Sequence, residues 1–128
     1  MLVIGAGAGG LVTASNCKSA GAKVAIIERK FMGGDCLNFG CVPSKAFIAS
    51  ANVAHQVKNA SEFGISVKGE VEVDFPKVME RMRRIRAEIS EMDSVERFHK
   101  FMGVETYLGD AKFVGPHEVE VNGQVLTF

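Results

Sequence analysis

The chain has 128 residues, 47% hydrophobic and 23% charged, with a formal net charge of +0; that is room for one domain with its own core, and it gives no argument for a nucleic-acid partner or an anionic membrane. No apolar run nears the roughly 20 residues that span a bilayer, and no basic segment precedes an apolar one as in a secretory signal. Three cysteines are an odd count, unlike a secreted disulfide framework, so a cytoplasmic setting with no membrane partner is expected.

In chain order, Leu2 to Ile4 form a short apolar run that reads as the end of a buried parallel strand. Gly5-Ala6-Gly7-Ala8-Gly9-Gly10 follows, with G-x-G-x-x-G at Gly5, Gly7 and Gly10. A helix is predicted from about Gly10 to Ala20, ended by Gly21. Lys23 to Ile27 reads as a second strand, terminated by Glu28. Strand, glycine turn, helix, strand and acid together make a dinucleotide fingerprint. Gly5 permits the tight turn, Gly7 lets a pyrophosphate approach the backbone, and Gly10 lets helix and strand pack closely. The helix N-terminus offers N–H donors to phosphate. Glu28 lies 18 residues after Gly10, a suitable distance for accepting hydrogen bonds from a ribose. A glycine-rich turn in an unrelated α/β protein is the plain alternative, and the fingerprint alone does not choose FAD over NAD. Cys17, on the small-residue side of the helix, reads as a buried structural thiol.

The next stretch is Gly33-Gly34-Asp35-Cys36-Leu37-Asn38-Phe39-Gly40-Cys41-Val42-Pro43-Ser44-Lys45. A cysteine pair this close can close a small loop as a disulfide, whose opening and closing is redox chemistry. Two unrelated buried thiols, or half of a metal site, would also place cysteines here. No second cysteine pair accompanies them and His55, His99 and His117 are scattered, so zinc is disfavoured and no metal is expected. Gly40 is expected to let the backbone turn tightly between the sulfurs. Pro43 suits a first helical turn, which puts Cys41 near a helix N-terminus, where a thiolate is favoured.

That helix continues to about Lys58. Phe63-Gly64-Ile65 reads as a chain reversal, and the alternation of Val71, Val73 and Phe75 with acids as an extended lead-in. The longest helix is predicted from Pro76 to about Met102, with Val78, Met82, Ile85, Ile89, Met92, Val95 and Phe98 along a core-facing side. Arg81, Arg83, Arg84 and Arg86 form a basic cluster, read as a solvated face with i,i+4 pairing rather than an anion or partner site. After Gly103, Val104 to Leu108 is a further strand. Lys112–Val114, Glu118–Val121 and Gln124–Phe128 follow as a small antiparallel meander, turned at Gly115-Pro116 and Asn122-Gly123.

The cysteine stretch closely resembles the redox-disulfide segment of the class I pyridine nucleotide–disulfide oxidoreductases. Their pattern is Gly-Gly-Thr-Cys-x-Asn-x-Gly-Cys-x-Pro-Ser/Lys-Lys. It is matched here at every fixed position except Asp35, where the family usually has Thr. The resemblance covers essentially the whole chain and implies a Rossmann-like FAD-binding domain of α/β class with an added β-meander. That domain is expected to be partial. It would comprise the βαβ fingerprint and disulfide helix (1–60), a connection and long helix (61–102), and a strand with meander (103–128). FAD is the implied cofactor and NAD(P)H the co-substrate bound outside this chain. Implied FAD-binding residues are Gly5, Gly7, Ala8, Gly9, Gly10, Glu28, Arg29, Gly34, Asp35, Cys36, Gly40, Cys41, Lys45 and Ala111. Electrons would pass from NAD(P)H through FAD to the Cys36–Cys41 disulfide. Cys41 is the implied flavin-side sulfur, Cys36 the exchanging sulfur, and Lys45 a neighbour of the flavin ring. An ionised Asp35 cannot donate to phosphate as Thr does, so it is expected to point away or be paired. Val42-Pro43-Ser44-Lys45 is more similar to mercuric reductase or dihydrolipoyl dehydrogenase than to glutathione reductase. The implied small-molecule substrate is therefore mercuric ion or a dihydrolipoamide-type disulfide or dithiol. The full protein would be a homodimer and the isolated chain inactive. A non-catalytic dinucleotide-binding module, its cysteines structural or regulatory, is the competing reading.

Overall fold

A computed structural model describes residues Met1–Phe128. Three short strands, β1 (Leu2–Ile4), β2 (Ala25–Glu28) and β3 (Glu105–Leu108), form a parallel sheet in the order β1-β2-β3. The register places Val3 opposite Ile26 and Ile27 opposite Tyr107. Helix α1 (Ala8–Ser19) makes the crossover from β1 to β2. A second sheet is an antiparallel meander of β4 (Lys112–Gly115), β5 (Glu118–Val121) and β6 (Gln124–Thr127). At the β5–β6 turn both Asn122 (φ 50°) and Gly123 (φ 78°) take positive φ, as a two-residue hairpin requires.

Both faces of the parallel sheet are covered, which is why Ile26 and Ile27 are consecutive and apolar rather than alternating with polar residues. Ile26 points into a cluster with Val3, Leu11, Ala14, Val24, Phe98 and Val104. Ile27 points the other way, onto Val119 and Val121 of the meander. Each such fully buried aliphatic side chain stabilises the fold by about 1.5–3 kcal/mol. The expected α/β class, parallel sheet with helices plus a meander, is the observed one.

Between β2 and β3 runs a helical excursion: α2 (Gly34–Asn38), α3 (Cys41–Lys58), a 3-10 turn over Ala60–Phe63, and α4 (Phe75–Ser90). Helix α2 is an addition to the predicted elements. The lead-in before α4 pairs with no strand, and its Val71 and Val73 are exposed. One expectation is corrected here. The helix expected to reach Met102 stops at Ser90, so α3 (18 residues) exceeds α4 (16 residues).

The break has a local cause. Ser94 Oγ accepts from Arg97 N at 3.1 Å, starting a new helical segment. That segment is wound as a π-turn over Arg97–Phe101, and Met102 N donates to Arg97 O at 3.1 Å. In consequence Met82 and Phe98 are buried, but Met92 is exposed and outside the core. Cys17 is half-buried against the α1 side of the core, less enclosed than expected. No helix is long and apolar enough to cross a membrane.

Candidate functional site

The glycine turn connects β1 to α1. Gly5 has φ +98°, a left-handed conformation that favours glycine, and its N–H donates to Ile27 O at 2.7 Å. A Cβ at Gly10 would collide with the Gly5 carbonyl oxygen and stand 3.3 Å from Val3 Cγ1, so the close packing expected of Gly10 is observed. The first helical bond of α1 is Leu11 N to Gly7 O at 2.9 Å. The amides of Ala8, Gly9 and Gly10 therefore lie ahead of any intrahelical acceptor and point out of the helix start. A Cβ at Gly9 would meet nothing within 4 Å, so the space in front of these donors is open.

Glu28 ends β2 and is 8% exposed, the single buried charged residue. Its Oε2 accepts from Ala6 N at 2.7 Å and its Oε1 from Lys30 N at 2.7 Å. The carboxylate is thereby fixed at the mouth of a pocket of about 240 Å³. Ile4, Gly5, Ile27, Glu28, Arg29, Gly109, Asp110 and Ala111 line that pocket. Each carboxylate oxygen keeps a second lone pair for a ligand hydroxyl. The structure thus brings Gly5, Glu28, Arg29 and Ala111 together, although Ala111 is far from the others in sequence. Gly109 and Asp110 join them, and the sequence reading had not placed either in a site. Gly109 N donates to Glu28 O at 2.8 Å, and Asn122 Nδ2 reaches across from the meander to Leu108 O at 2.8 Å. The side chain of Asn122 takes the space a Cβ at Gly109 would need.

The cysteine stretch lies against the glycine turn. Gly33 and Gly34 both have positive φ (82° and 57°). Gly33 N donates to Ala6 O at 2.8 Å, and Gly7 and Gly33 form an isolated parallel bridge. A Cβ at Gly34 would lie 2.6 Å from Gly7 Cα, so the two loops meet main chain to main chain. Cys36 in α2 and Cys41 at the start of α3 form a disulfide, their Cα atoms 4.7 Å apart. Gly40 caps α3, whose first bond is Ser44 N to Gly40 O at 3.0 Å, so Cys41 occupies the first helical position.

Gly40 turns the chain between the sulfurs with φ −118° and ψ −105°. A Cβ there would sit 3.0 Å from Asp35 O, a tight contact with main chain. Cys41 is exposed and Cys36 half-buried. Asp35 and Lys45 are both exposed and neither makes an ion pair, so the expected alternative of a paired Asp35 is not what is seen.

Three further side chains fix the loop. Asn38 Nδ2 donates to Met32 O (3.1 Å) and Gly34 O (2.8 Å), tying α2 to the strand exit. From α4, Arg86 donates to Asn38 O at 3.3 Å and Arg81 to Ala46 O at 3.2 Å. Of the basic cluster only Arg84 behaves as a solvated i,i+4 partner, with Glu88 at 3.1 Å. Asp93, in the turn after α4, has Oδ2 3.0 Å from where a Gly33 Cβ would be. Desolvation pushes its carboxyl above the usual aspartate range, against a smaller downward pull from the Arg97 charge.

The family model for pyridine nucleotide-disulphide oxidoreductases matches residues 1–128. Among curated relatives, the dihydrolipoyl dehydrogenase of Acholeplasma laidlawii is 38% identical over 126 residues, covering 98% of this chain and 37% of the relative. That of Geobacillus stearothermophilus is 40% identical over 131 residues, covering 99% of this chain and 27% of the relative. The chain therefore spans about a quarter to just over a third of the length of these relatives. Among solved structures, the Cu(II) complex of the HOCl-induced flavoprotein disulfide reductase RclA from Escherichia coli superposes with a TM-score of 0.74 at 23% identity. The match covers 98% of this chain and 25% of that one.

Proposed function

Since the chain belongs to the pyridine nucleotide-disulphide oxidoreductases, we propose that it is the portion of such an enzyme that holds FAD and carries the redox-active disulfide. The full enzyme would exchange electrons between NAD(P)H and a dihydrolipoamide-type dithiol or disulfide. The observation that carries this reading is the main-chain contact of Gly7 with Gly33 and Gly34, which places the dinucleotide turn directly beside the Cys36–Cys41 loop. The similarity to dihydrolipoyl dehydrogenases supports the substrate class.

The residues present fit FAD. Outward amides at the start of α1 suit a pyrophosphate. The fixed Glu28 carboxylate suits ribose hydroxyls, and the pocket closed by Ala111 suits an adenosine. Bound there, FAD supplies a two-electron relay between NAD(P)H and the disulfide. The chain's own contribution is positional and electrostatic. Cys41, at the first position of α3, has its thiolate stabilised by the helix N-terminus once the disulfide is opened. Cys36 is the sulfur assigned to exchange with the substrate thiol. Attack on it breaks one S–S bond and forms another, and the leaving Cys41 departs as thiolate. Lys45, one turn along α3, is assigned to the flavin edge. The family resemblance supports a cytoplasmic homodimer as the working form, with the isolated chain turning over no substrate.

An absorbance spectrum tests the reading. After incubation with FAD and desalting, the protein is expected to keep flavin bands and to develop a long-wavelength shoulder on dithiothreitol reduction. The Cys41→Ser variant is expected to keep the flavin bands without the shoulder. Protein that retains no flavin, or a shoulder that survives in Cys41→Ser, sinks the assignment.

A further inference from the structure

The side of α4 facing the disulfide loop is built from four residues. At about 100° per residue along a helix, Ile85 and Met82 fall between Arg81 and Arg86. Met82 is buried and Ile85 half-buried, so this stripe anchors α4 while the two arginines reach past it on either side. Arg86 donates to the carbonyl of Asn38, which lies inside the loop closed by Cys36 and Cys41. Asn38 is the last residue of α2, and a carbonyl there has no partner along its own helix. Arg81 donates to the carbonyl of Ala46, beyond Cys41 in α3. One helix thus holds both arms of the disulfide, one through each arginine, by bonds from charged donors.

Resting on the proposed redox role of the cysteine pair, we propose that Arg86, seconded by Arg81, is a positioning residue that governs how readily the Cys36–Cys41 dithiol re-closes. In the oxidised form the S–S bond itself fixes the loop, and the arginine bonds add little. In the dithiol form only the main-chain link through Phe39 and Gly40 joins α2 to α3, and the arginines limit how far the two sulfurs can swing apart about it. Removing that restraint frees the dithiol state and lowers the effective concentration of one thiol at the other. The equilibrium therefore shifts towards the dithiol.

The test is a glutathione redox titration of the full chain, read by maleimide mass labelling of free thiols below the melting temperature. Two glutathione thiols give up two electrons and two protons. The Cys36–Cys41 bond breaks to a dithiol and the S–S bond of oxidised glutathione forms. Arg86→Ala is expected to shift the equilibrium about fivefold to tenfold towards the dithiol, tenfold being about 30 mV for a two-electron couple. Arg81→Ala is expected to shift it the same way by less. Arg83→Ala removes an equal charge from an exposed position of the same helix and is expected to leave it unchanged. Arg86→Lys, which keeps charge and one donor, is expected to fall between wild type and Arg86→Ala, and it carries the test if the alanine variant does not fold. A folded Arg86→Ala with the wild-type constant overturns the proposal, even if it melts earlier. So does an Arg83→Ala shift as large as that of Arg86→Ala, because the effect would then be bulk charge. If the wild-type pair itself fails to exchange with glutathione, the redox reading of the cysteines falls first.

Discussion

Asp93 carries a residue-scale cost that pH exposes. Its carboxylate is partly desolvated against Gly33, and the nearest cation, Arg97, spends a guanidinium N–H on Met92 O at 2.6 Å. Its carboxyl is therefore raised by burial. A raised acid binds its proton more tightly in the folded chain than in the unfolded one. The contribution of this group to stability is thus most favourable at pH below the ordinary aspartate value of about 3.9 and falls as pH rises through the higher folded value. Above that value the penalty is constant. Asp93→Asn removes it and, because the group is largely open to screening solvent, is expected to raise the melting temperature slightly at pH 7. The gain is expected to vanish near pH 3. Equal gains at both pH values, read by circular dichroism melts, would show that the charge is not the cause.

At the scale of elements, the meander reaches the pocket through one side chain. Asn122 both supplies a positive-φ turn residue and donates to Leu108 O beside Gly109, Asp110 and Ala111. Asn122→Gly keeps the turn and deletes the bond. A hydrogen bond contributes about 1 kcal/mol net, so ADP or FAD binding is expected to weaken about fivefold with the hairpin intact. Unchanged affinity by calorimetric titration would mean that the 109–111 segment is held by the Gly109 N to Glu28 O bond alone.

Elements whose signal is local were legible in the sequence. The glycine fingerprint, Glu28, the start of α3 near Cys41 and the Asn122-Gly123 turn all depend on residues within a few positions of one another. Helix α2 was not legible, because the five residues Gly34–Asn38 are too few to show a 3.6-residue period. The end of α4 was misread because Val95 and Phe98 continue the apolar phase of Met92, and that phase hid the Ser94 cap. The roles of Arg81, Arg86 and Asn122 were invisible for a different reason. Their partners are backbone carbonyls far along the chain, and a carbonyl has no residue type to read.

Across the whole molecule, β2 is the shared member of everything described. Ile26 holds the helical side, Ile27 holds the meander, and Glu28 faces the pocket lined by Gly109, Asp110 and Ala111. A ligand that engages Glu28 and the α1 amides at once should therefore stabilise the entire fold rather than a loop. FAD at a hundred times its dissociation constant is expected to add about 2.7 kcal/mol to the free energy of unfolding, and so to raise the melting temperature as a single cooperative step. A biphasic melt, with one phase insensitive to FAD, would mean that the meander or the helical excursion unfolds independently of the sheet.

Gly7 and Gly34 meet main chain to main chain, with no side-chain atom at their contact. A joint of that kind has no rotamers to sample and no methylene to trim. The span from glycine turn to sulfur pair is consequently a ruler made of main-chain covalent geometry and van der Waals radii. Variation elsewhere can retune the chemistry at either end of the ruler, but a change of its length requires both loops to alter together.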